Sequence, residues 1–291
     1  MLLTLLCLSA SLAGAGEITD TLARIKETGQ VIVGHRESSV PFSYYDNNQN
    51  VIGYSQDYSN LIVEALKKEL GLPNLKVKLI PITSQNRIPL LQNGTYDFEC
   101  GSTTNNLERQ KQVAFSNTLF IIGTRLLVHK DSGIKDFPDL KGKTLAVTSG
   151  TTSERLAFQM KDEKKLDVNI ISLTDHVDSF RAVESGRADA FFIDDALLAG
   201  ERAKSRNPGD WIIVGTPQSF EAYGCMLRKG DPKFKAFVDK VIADAQTSGK
   251  ALESFKKWFQ NPIPPRGMNM NFEVPDALEK LFANPNDKAF Q

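Results

Sequence analysis

The sequence predicts an α/β fold of two domains, with the second domain inserted into the first. Predicted strands alternate with predicted helices in two separate stretches of the chain, a pattern typical of parallel sheets covered by helices. Two extended segments, 120–129 and 221–229, separate these stretches. We therefore expect residues 17–122 and 222–291 to form one domain and residues 126–218 to form the other, with two hinge crossings beside a cleft.

The first stretch runs strand, helix, strand, helix, strand. Its first helix carries apolar side chains at helical spacing until Gly71 ends it. Its second helix is short, because it opens at Pro89 and Asn93-Gly94 stops it. The strands are predicted at 30–34, 75–80 and 96–100, and the first helix at 58–70.

The second stretch repeats the alternation on a smaller scale, and three helices follow the second extended segment. Its strands are predicted at 143–148, 168–173 and 188–193, and its helices after Gly150, at 177–185 and at 196–204. The three later helices are predicted at 232–248, 252–259 and 276–282.

The composition excludes several classes of function. Lys plus Arg equals Asp plus Glu, at 35 each, so the formal net charge is zero. No basic run marks a nucleic-acid or membrane surface, so we expect no nucleic-acid partner. The sequence contains no familiar hydrolase, metalloprotease, redox or nucleotide-binding motif. Its three histidines are scattered, and we predict neither a metal site nor a cofactor.

The N-terminal 15 residues predict a signal peptide. They are almost wholly apolar and end in Ala13-Gly14-Ala15, the small-residue pattern of a signal-peptidase site. The run is too short to span a bilayer as a helix. A buried N-terminal helix is the alternative, which the absence of any polar face disfavours. We expect export, with the mature chain beginning near Gly16.

The cysteines predict one disulfide. Cys7 lies in the predicted signal peptide, which leaves Cys100 and Cys225. An even pair of cysteines in an exported protein favours a bridge between them. The alternative is two buried free thiols.

The segment 101–116, GSTTNNLERQKQVAFS, indicates a site for a free carboxylate. Ser102, Thr103 and Thr104 precede Arg109 in a short polar segment of helical character. A guanidinium can hold both oxygens of a carboxylate, while hydroxyls and turn amides satisfy its remaining lone pairs. The alternative is that Arg109 is a surface charge on a short helix.

The turn at 148–154, TSGTTSE, indicates a helix N-terminus that could hold an anion. Thr151 with Glu154 three residues later has the spacing of a capping box. The free N–H groups and the positive dipole at a helix N-terminus favour negative charge. An ordinary helix cap is the alternative.

Several segments together resemble one family. They are VGHRESSVPFSYYDN, GYSQDYSNLIVEAL, PLLQNGTYDF, the Arg109 segment, DLKGKTLAVTSGTTSE, ESGRADAFFIDD and YGCMLRK. Over essentially all of the predicted mature chain, these resemble the family-3 extracellular solute-binding proteins, the receptor subunits of polar amino-acid uptake transporters. The resemblance implies a two-domain clamshell of the type II periplasmic-binding-protein class. It implies a periplasmic receptor, without catalytic activity, that closes on a free amino acid and presents it to an ABC permease. We expect it to be a monomer.

The resemblance also implies roles for residues at the amino-acid end of the ligand. Arg109 takes the position that holds the α-carboxylate, and Ser102 and Thr104 take positions that add contacts there. Asp194 takes the position of the acid that binds the α-ammonium, whereas its neighbour Asp195 is expected to be structural. The alternative is that both acids only open the following helix. Two further residues align with ligand contacts of the family, namely Thr151 and Thr152.

The side-chain pocket implied by the resemblance favours an acidic ligand, L-glutamate or L-aspartate. Family members that bind basic amino acids carry an acid at the position of Arg36 and an aromatic residue near Ser39. Arg87 and His176 align with further contacts in relatives that bind glutamate and aspartate, and Ser84 aligns with a polar one. Three potential cations around one end of the ligand suit a second carboxylate. The alternative for His176 is a surface loop position.

Besides a receptor for acidic amino acids, three alternative functions are compatible with the same fold. Cyclohexadienyl dehydratases resemble these binding proteins and convert a ring substrate in the cleft, where Asp194 and the cations could do acid–base work. The second is a binding protein for another polar amino acid, such as glutamine, and the third is a sensor module. Fold alone does not separate these functions. The arginine-rich pocket favours a glutamate and aspartate receptor.

Overall fold

The computed structural model describes residues 20–163 and 165–289, so the predicted signal peptide and Cys7 lie outside the described residues. Within the described ranges, none of the helices is both long enough and apolar enough to cross a membrane. The helices are α1 (Thr21–Thr28), α2 (Tyr54–Leu70), α3 (Arg87–Gln92), α4 (Leu107–Gln110), α5 (Thr152–Glu163), α6 (His176–Glu184), α7 (Asp195–Lys204), α8 (Pro232–Thr247), α9 (Lys250–Phe259) and α10 (Asp276–Ala283). The strands are β1 (Gln30–His35), β2 (Ser38–Ser39), β3 (Ser43–Tyr45), β4 (Val51–Ile52), β5 (Lys76–Pro81), β6 (Phe98–Glu99), β7 (Thr104–Asn105), β8 (Ala114–His129), β9 (Lys143–Thr148), β10 (Val168–Leu173), β11 (Ala190–Asp194), β12 (Trp211–Val214) and β13 (Phe220–Leu227).

Strand pairing divides the molecule into two lobes that share β8. The continuous order is β10-β9-β11-β8-β13-β6-β1-β5, with β12 on β8 and β7 on β13. Pairing is parallel within each outer group, β5-β1-β6 and β10-β9-β11. We call β1–β7, β13 and the helices α1–α4 and α8–α10 the first lobe, and β9–β12 with α5–α7 the second lobe. This is the mixed α/β architecture that the sequence predicted.

Two extended crossings run side by side between the lobes. The part of β8 before Thr124 pairs with β13, and the part from Thr124 onward pairs with β11. The second crossing is the segment 215–219 between β12 and β13. Backbone hydrogen bonds of 3.1 Å join the crossings, from the Thr124 N–H to the Ser219 carbonyl and from the Gln218 N–H to the Thr124 carbonyl. The exact domain boundaries, 122 to 126 and 218 to 222, stay a prediction that this pairing supports.

The start of α2 differs from the prediction, for a physical reason. The helix begins at Tyr54, whereas the prediction placed its start at residue 58. The earlier start was missed because polar side chains in the first turn interrupt the apolar pattern on which the prediction relied. Tyr54, Ser55 and Gln56 are nevertheless buried. The Ser55 hydroxyl donates to the carbonyl of Gly101 at 2.9 Å, and a hydrogen-bonded polar side chain is readily buried. The sequence analysis also missed α1 and β12.

The predicted disulfide between Cys100 and Cys225 is confirmed. Cys100 follows β6, Cys225 lies in β13, and the two positions are 125 residues apart in sequence. Both cysteines are fully buried. The bridge reinforces the antiparallel pairing of β6 with β13. These strands border the site described below.

The lobes touch at two glycines. A Cβ atom on Gly200 of α7 would lie 2.2 Å from the carbonyl oxygen of Val40 in the first lobe. A Cβ atom on Gly150, whose φ is +77°, would lie 2.6 Å from the Cα atom of Gln85. Only glycine allows backbones to approach this closely, and it also tolerates the positive φ. The lobes are therefore in direct contact across the cleft.

Candidate functional site

Most of the predicted ligand-binding residues are buried where the lobes meet. Thr151 is half-buried, and the other nine are at most 8% exposed. The first lobe contributes Arg36, Ser84, Arg87, Ser102, Thr104 and Arg109, and the second contributes Thr151, Thr152, His176 and Asp194. A loop surface position for His176 and a surface charge for Arg109 are therefore both wrong.

Arg109 spans the cleft. It lies in α4, where the side-chain oxygen of Asn106 accepts a hydrogen bond from the Arg109 N–H at 2.8 Å. Its guanidinium donates to the carbonyl of Thr104 at 3.0 Å and to the carbonyl of Gly150 at 3.1 Å. Burial, and then the positive charge of Arg87, lower the pKa of Arg109 to about 9. The guanidinium thus contacts both lobes just before α5 begins.

Arg36 and Arg87 form a second cationic group. Arg36 is 1% exposed, and none of its three guanidinium nitrogens has a hydrogen-bond partner among the described residues. Asp175 of the second lobe lies 3.7 Å from its Nη2 atom. Arg87 donates through Nη1 to the Ser102 carbonyl at 3.2 Å and to the Thr103 hydroxyl at 2.6 Å. Burial, and then the charge of Arg87, lower the pKa of Arg36 to about 10.

Three more polar groups of the predicted site are buried without a hydrogen-bond partner in the described part of the chain. They are the hydroxyls of Ser84 and Ser102 and the Nε2 atom of His176. The Nδ1 atom of His176 lies 3.0 Å from the Thr148 hydroxyl. Burial, and then the charge of Arg36, lower the pKa of His176 to about 3. His176 is therefore a neutral hydrogen-bonding group near pH 7, whereas the sequence suggested a third cation.

Glu99 supplies a negative charge close to these arginines. It ends β6 and is fully buried. The Thr103 hydroxyl donates to Oε1, and Oε2 has no hydrogen-bond partner among the described residues. Burial raises the pKa of Glu99, and the positive charge of Arg87 opposes the shift. Thr103 therefore links Arg87 to a buried carboxylate through one hydroxyl.

The two threonines of the TSGTTSE turn have different contacts. The Thr151 hydroxyl donates to the Thr148 carbonyl at 2.7 Å and accepts from the Glu154 N–H at 3.0 Å, so it caps α5. The Glu154 carboxylate accepts from the Gly150 N–H at 2.8 Å, one residue earlier than in a capping box. Thr152 instead points its hydroxyl at Glu221. The turn therefore faces the cleft through Thr152, and the contact of Thr151 with a ligand stays a prediction.

Asp194 is a buried acid at the end of β11. The Tyr223 hydroxyl of the first lobe donates to it. Among the described residues its side chain makes no capping bond to α7, whereas Asp195 accepts from the next residue's N–H at 2.7 Å. Burial, and then the negative charge of Glu221, raise the pKa of Asp194 to about 8. The side chain of Asp195 therefore bonds to the start of α7, whereas that of Asp194 contacts Tyr223 across the cleft.

Glu221 joins the two walls of the cleft, and the sequence analysis did not single it out. Its Oε2 atom accepts the hydroxyls of Thr104 in the first lobe and of Thr152 in the second, the latter at 2.7 Å. Its Oε1 atom accepts the Ser219 hydroxyl at 3.0 Å. The side chain is 6% exposed. Its signal in the sequence is weak, because only the alternation of a strand places Glu221 and Tyr223 on one face.

Comparison with known proteins places this geometry in a family. Residues 31–261 match the bacterial extracellular solute-binding proteins, family 3. The chain is 67% identical to the glutamate/aspartate import solute-binding protein of Salmonella typhimurium, over 97% of this chain and 95% of that protein. It is 58% identical to the L-glutamate/L-aspartate-binding protein of Pseudomonas aeruginosa, over 94% and 91% of the two chains.

Solved structures agree with the two-lobed fold. A mutant of the arginine-binding protein from T. maritima superposes with a TM-score of 0.73 and 30% identity, over 82% of this chain and 99% of that one. An ancestral amino-acid-binding protein, a precursor of cyclohexadienyl dehydratase, gives a TM-score of 0.70 and 30% identity over 82% and 99%. The fold is thus the two-domain clamshell of type II periplasmic binding proteins. With a family match over most of its length and relatives that align nearly end to end, the chain belongs to family 3 of the bacterial extracellular solute-binding proteins.

Proposed function

We propose that this protein is the receptor for L-glutamate and L-aspartate of an ABC importer, and that it performs no chemistry on its ligand. The proposal depends most on Arg36, whose guanidinium is buried without hydrogen-bond partners in the described part of the chain. A guanidinium that is 1% exposed keeps three nitrogens without hydrogen-bond partners among the described residues. Buried donors are nearly always hydrogen-bonded in proteins. The ligand's side-chain carboxylate is the partner that suits them, because it can accept two parallel bonds from one guanidinium.

The ligand has two anionic ends and one cationic group, and the site offers a place for each. Arg109 holds the α-carboxylate, and Asp194 accepts the α-ammonium. Arg36 and Arg87 hold the side-chain carboxylate, with hydrogen bonds from two further polar groups. These further groups are the Ser84 hydroxyl and the neutral ring of His176, both of which have an atom without a partner among the described residues.

Closure follows from how the contacts are divided between the lobes. The first lobe supplies the three arginines, and the second supplies Thr152, His176 and Asp194. A ligand that contacts one lobe first gains the remaining contacts only when the lobes meet, so it stabilises the closed state. We propose that the closed form is what the membrane permease recognises. We also propose a periplasmic monomer whose residues 1–15 are removed as a signal peptide.

The relatives favour this function over a glutamine receptor or an enzyme. Those with more than half of their residues identical are named for glutamate and aspartate, whereas a glutamine-binding relative from Bacillus subtilis is 30% identical. Asp175 and Glu99 lie near the buried Arg36 guanidinium but leave its three nitrogens without hydrogen bonds among the described residues. A neutral amide brings no negative charge and cannot accept two parallel bonds from one guanidinium as a carboxylate does, which disfavours glutamine. The relatives of high identity are named as import and binding proteins, which favours a receptor over a dehydratase.

Isothermal titration calorimetry of ligand-stripped protein beginning at Gly16 tests the function. We expect one-to-one binding of L-glutamate and L-aspartate, and little or no heat from L-glutamine or L-arginine. Equal affinity for glutamine would contradict the acidic side-chain pocket. If none of the four ligands binds, the receptor function is wrong, and turnover of prephenate or arogenate becomes the next assay.

Replacing Arg36 with alanine should remove the preference for an acidic side chain. The side-chain carboxylate would be buried without its main partner, which commonly costs about 2–5 kcal/mol. We expect glutamate affinity to fall at least about thirtyfold, with a smaller loss for glutamine, measured by calorimetry. Arg181→Ala is the matched control, because that side chain is 70% exposed. A glutamate affinity within about threefold of the unmodified protein would contradict the pocket.

A further inference from the structure

Glu221 is a buried carboxylate at the ligand's ammonium end that the proposed roles leave unused. It lies on β13 next to the second crossing, and its side chain accepts three hydroxyl hydrogen bonds. Two of these come from opposite walls, from Thr104 and Thr152. No Lys or Arg lies within ion-pair distance of its carboxylate among the described residues. Hydroxyls stabilise the charge but do not neutralise it. Arg109 lies near enough for the charge of Glu221 to act on its pKa, but its guanidinium is the proposed partner of the ligand's α-carboxylate.

Strand geometry places Glu221 on the same side as Asp194. Side chains two residues apart on a strand point to the same face, so Glu221 and Tyr223 share a face of β13. The Tyr223 hydroxyl donates to Asp194, so Asp194 lies over that face as well. The two carboxylates are close enough for the charge of Glu221 to raise the pKa of Asp194. Two acids therefore converge on one end of the cleft.

The threonine hydroxyls lead to the same region. Each hydroxyl has one proton, and both Thr104 and Thr152 direct that proton to Glu221. Each therefore presents its lone pairs, rather than its proton, to a ligand between the walls. Lone pairs and carboxylates attract a cation. An ammonium group at this position would meet acceptors from both lobes.

We propose that Glu221 is a second anionic determinant for the ligand's α-ammonium group, acting together with Asp194. The inference rests on the proposed function, because it presumes an amino-acid ligand whose carboxylate is held by Arg109. It assigns to Glu221 a specificity role. Ligands that carry two carboxylates but no ammonium are rejected, because they bring no positive charge to the buried Glu221 carboxylate or to the adjacent Asp194.

A comparison of two ligands in two proteins isolates this role. The ligands are L-glutamate and (S)-2-hydroxyglutarate, which has the same carbon skeleton with a neutral hydroxyl in place of the ammonium. The proteins are the unmodified chain and Glu221→Gln, which removes the charge and keeps an oxygen that can accept the threonine hydroxyls. Calorimetry gives the glutamate affinity, and competition against bound glutamate gives the affinity for the hydroxy acid. The cycle of four values isolates the interaction between Glu221 and the ammonium.

We expect Glu221→Gln to weaken L-glutamate binding at least about tenfold, and to make (S)-2-hydroxyglutarate bind more tightly than it binds to the unmodified protein. Losses that agree within about threefold for both ligands overturn the proposal, because they indicate a role in holding the walls only. If (S)-2-hydroxyglutarate displaces bound glutamate from neither protein, that result also counts against the proposal, since removing the charge of Glu221 should allow the ligand's neutral hydroxyl to bind.

Controls separate this inference from the function on which it rests. Glu64→Gln removes a carboxylate that is 67% exposed, and it should change neither affinity. Glu221→Asp keeps the charge and should recover part of the preference for glutamate over the hydroxy acid. If the unmodified protein binds neither L-glutamate nor L-aspartate, the proposed function has failed. If it binds them and Glu221→Gln does not discriminate, only the inference on Glu221 has failed.

Discussion

Replacing Arg109 with alanine should abolish the binding of every amino acid, because all amino acids share the α-carboxylate. Arg109 is buried, and its guanidinium donates to Thr104 in the first lobe and to Gly150 in the second. The variant therefore loses both the partner of the ligand's carboxylate and a bond between the lobes. Leaving a buried carboxylate unpaired commonly costs about 2–5 kcal/mol, and the lost closure contact adds to it.

Calorimetry with L-glutamate, L-aspartate and L-glutamine measures this effect. We expect a loss of more than about a thousandfold for each ligand. This uniform loss differs from the selective loss expected for Arg36→Ala. Arg155→Ala is the matched control. Arg155 lies in α5 of the second lobe, is 60% exposed and lies 3.6 Å from Glu108 of the first lobe, so the variant removes an arginine and a contact between the lobes without removing a proposed ligand contact. Its affinity should stay close to that of the unmodified protein. If Arg109→Ala retained glutamate affinity within about tenfold, the α-carboxylate would have to bind elsewhere in the cleft.

Replacing Gly200 with alanine should prevent the lobes from closing. The new Cβ atom would lie 2.2 Å from the carbonyl oxygen of Val40, which is backbone and has little freedom to move aside. Gly200 lies inside α7, where alanine is a better helix former by about 1 kcal/mol. The second lobe itself should therefore fold at least as well as before. We expect a well-folded protein that stays open and binds glutamate at least about a hundredfold more weakly.

Small-angle X-ray scattering with and without L-glutamate distinguishes closure from binding. The unmodified protein should become more compact with ligand, and Gly200→Ala should not. Gly209→Ala is the control, since a Cβ atom there meets nothing within 4 Å and its φ is not in the positive range. Ligand-induced compaction of Gly200→Ala equal to that of the unmodified protein would show that α7 can shift around the contact.

Local patterns predicted the fold best where apolar runs had sharp ends. The strands at 143–148 and 168–173 have the predicted bounds, because each is a short run flanked by turn residues. β12, four residues long, was missed because it follows a polar loop without clear alternation. Its place beside β8 depends on a pairing with residues 126–129, far away in sequence. Such tertiary pairings leave little trace in local periodicity.

The site residues likewise divide into those with a local signal in the sequence and those without one. Arg109 was found because a contiguous motif surrounds it, and the resemblance to a family supplied Arg36 and Arg87. Glu99 and Glu221 were missed, because single acids in strands look like ordinary polar positions. Their importance comes from burial beside other charges, which only the three-dimensional arrangement reveals. Which of the ten named residues contact a ligand stays a prediction, and the proposed substitutions measure it for Arg36 and Arg109.

The disulfide has a consequence for the covalent topology of the chain. The loop that it closes, from Cys100 to Cys225, contains both crossings and the entire second lobe. A single peptide-bond cleavage anywhere in that lobe therefore yields two fragments that remain covalently joined. Both fragments stay attached to the first lobe, where β6 and β13 are already paired. A nicked molecule can thus keep its two ends together, and the second lobe can lose order without releasing the strand that bears Glu221.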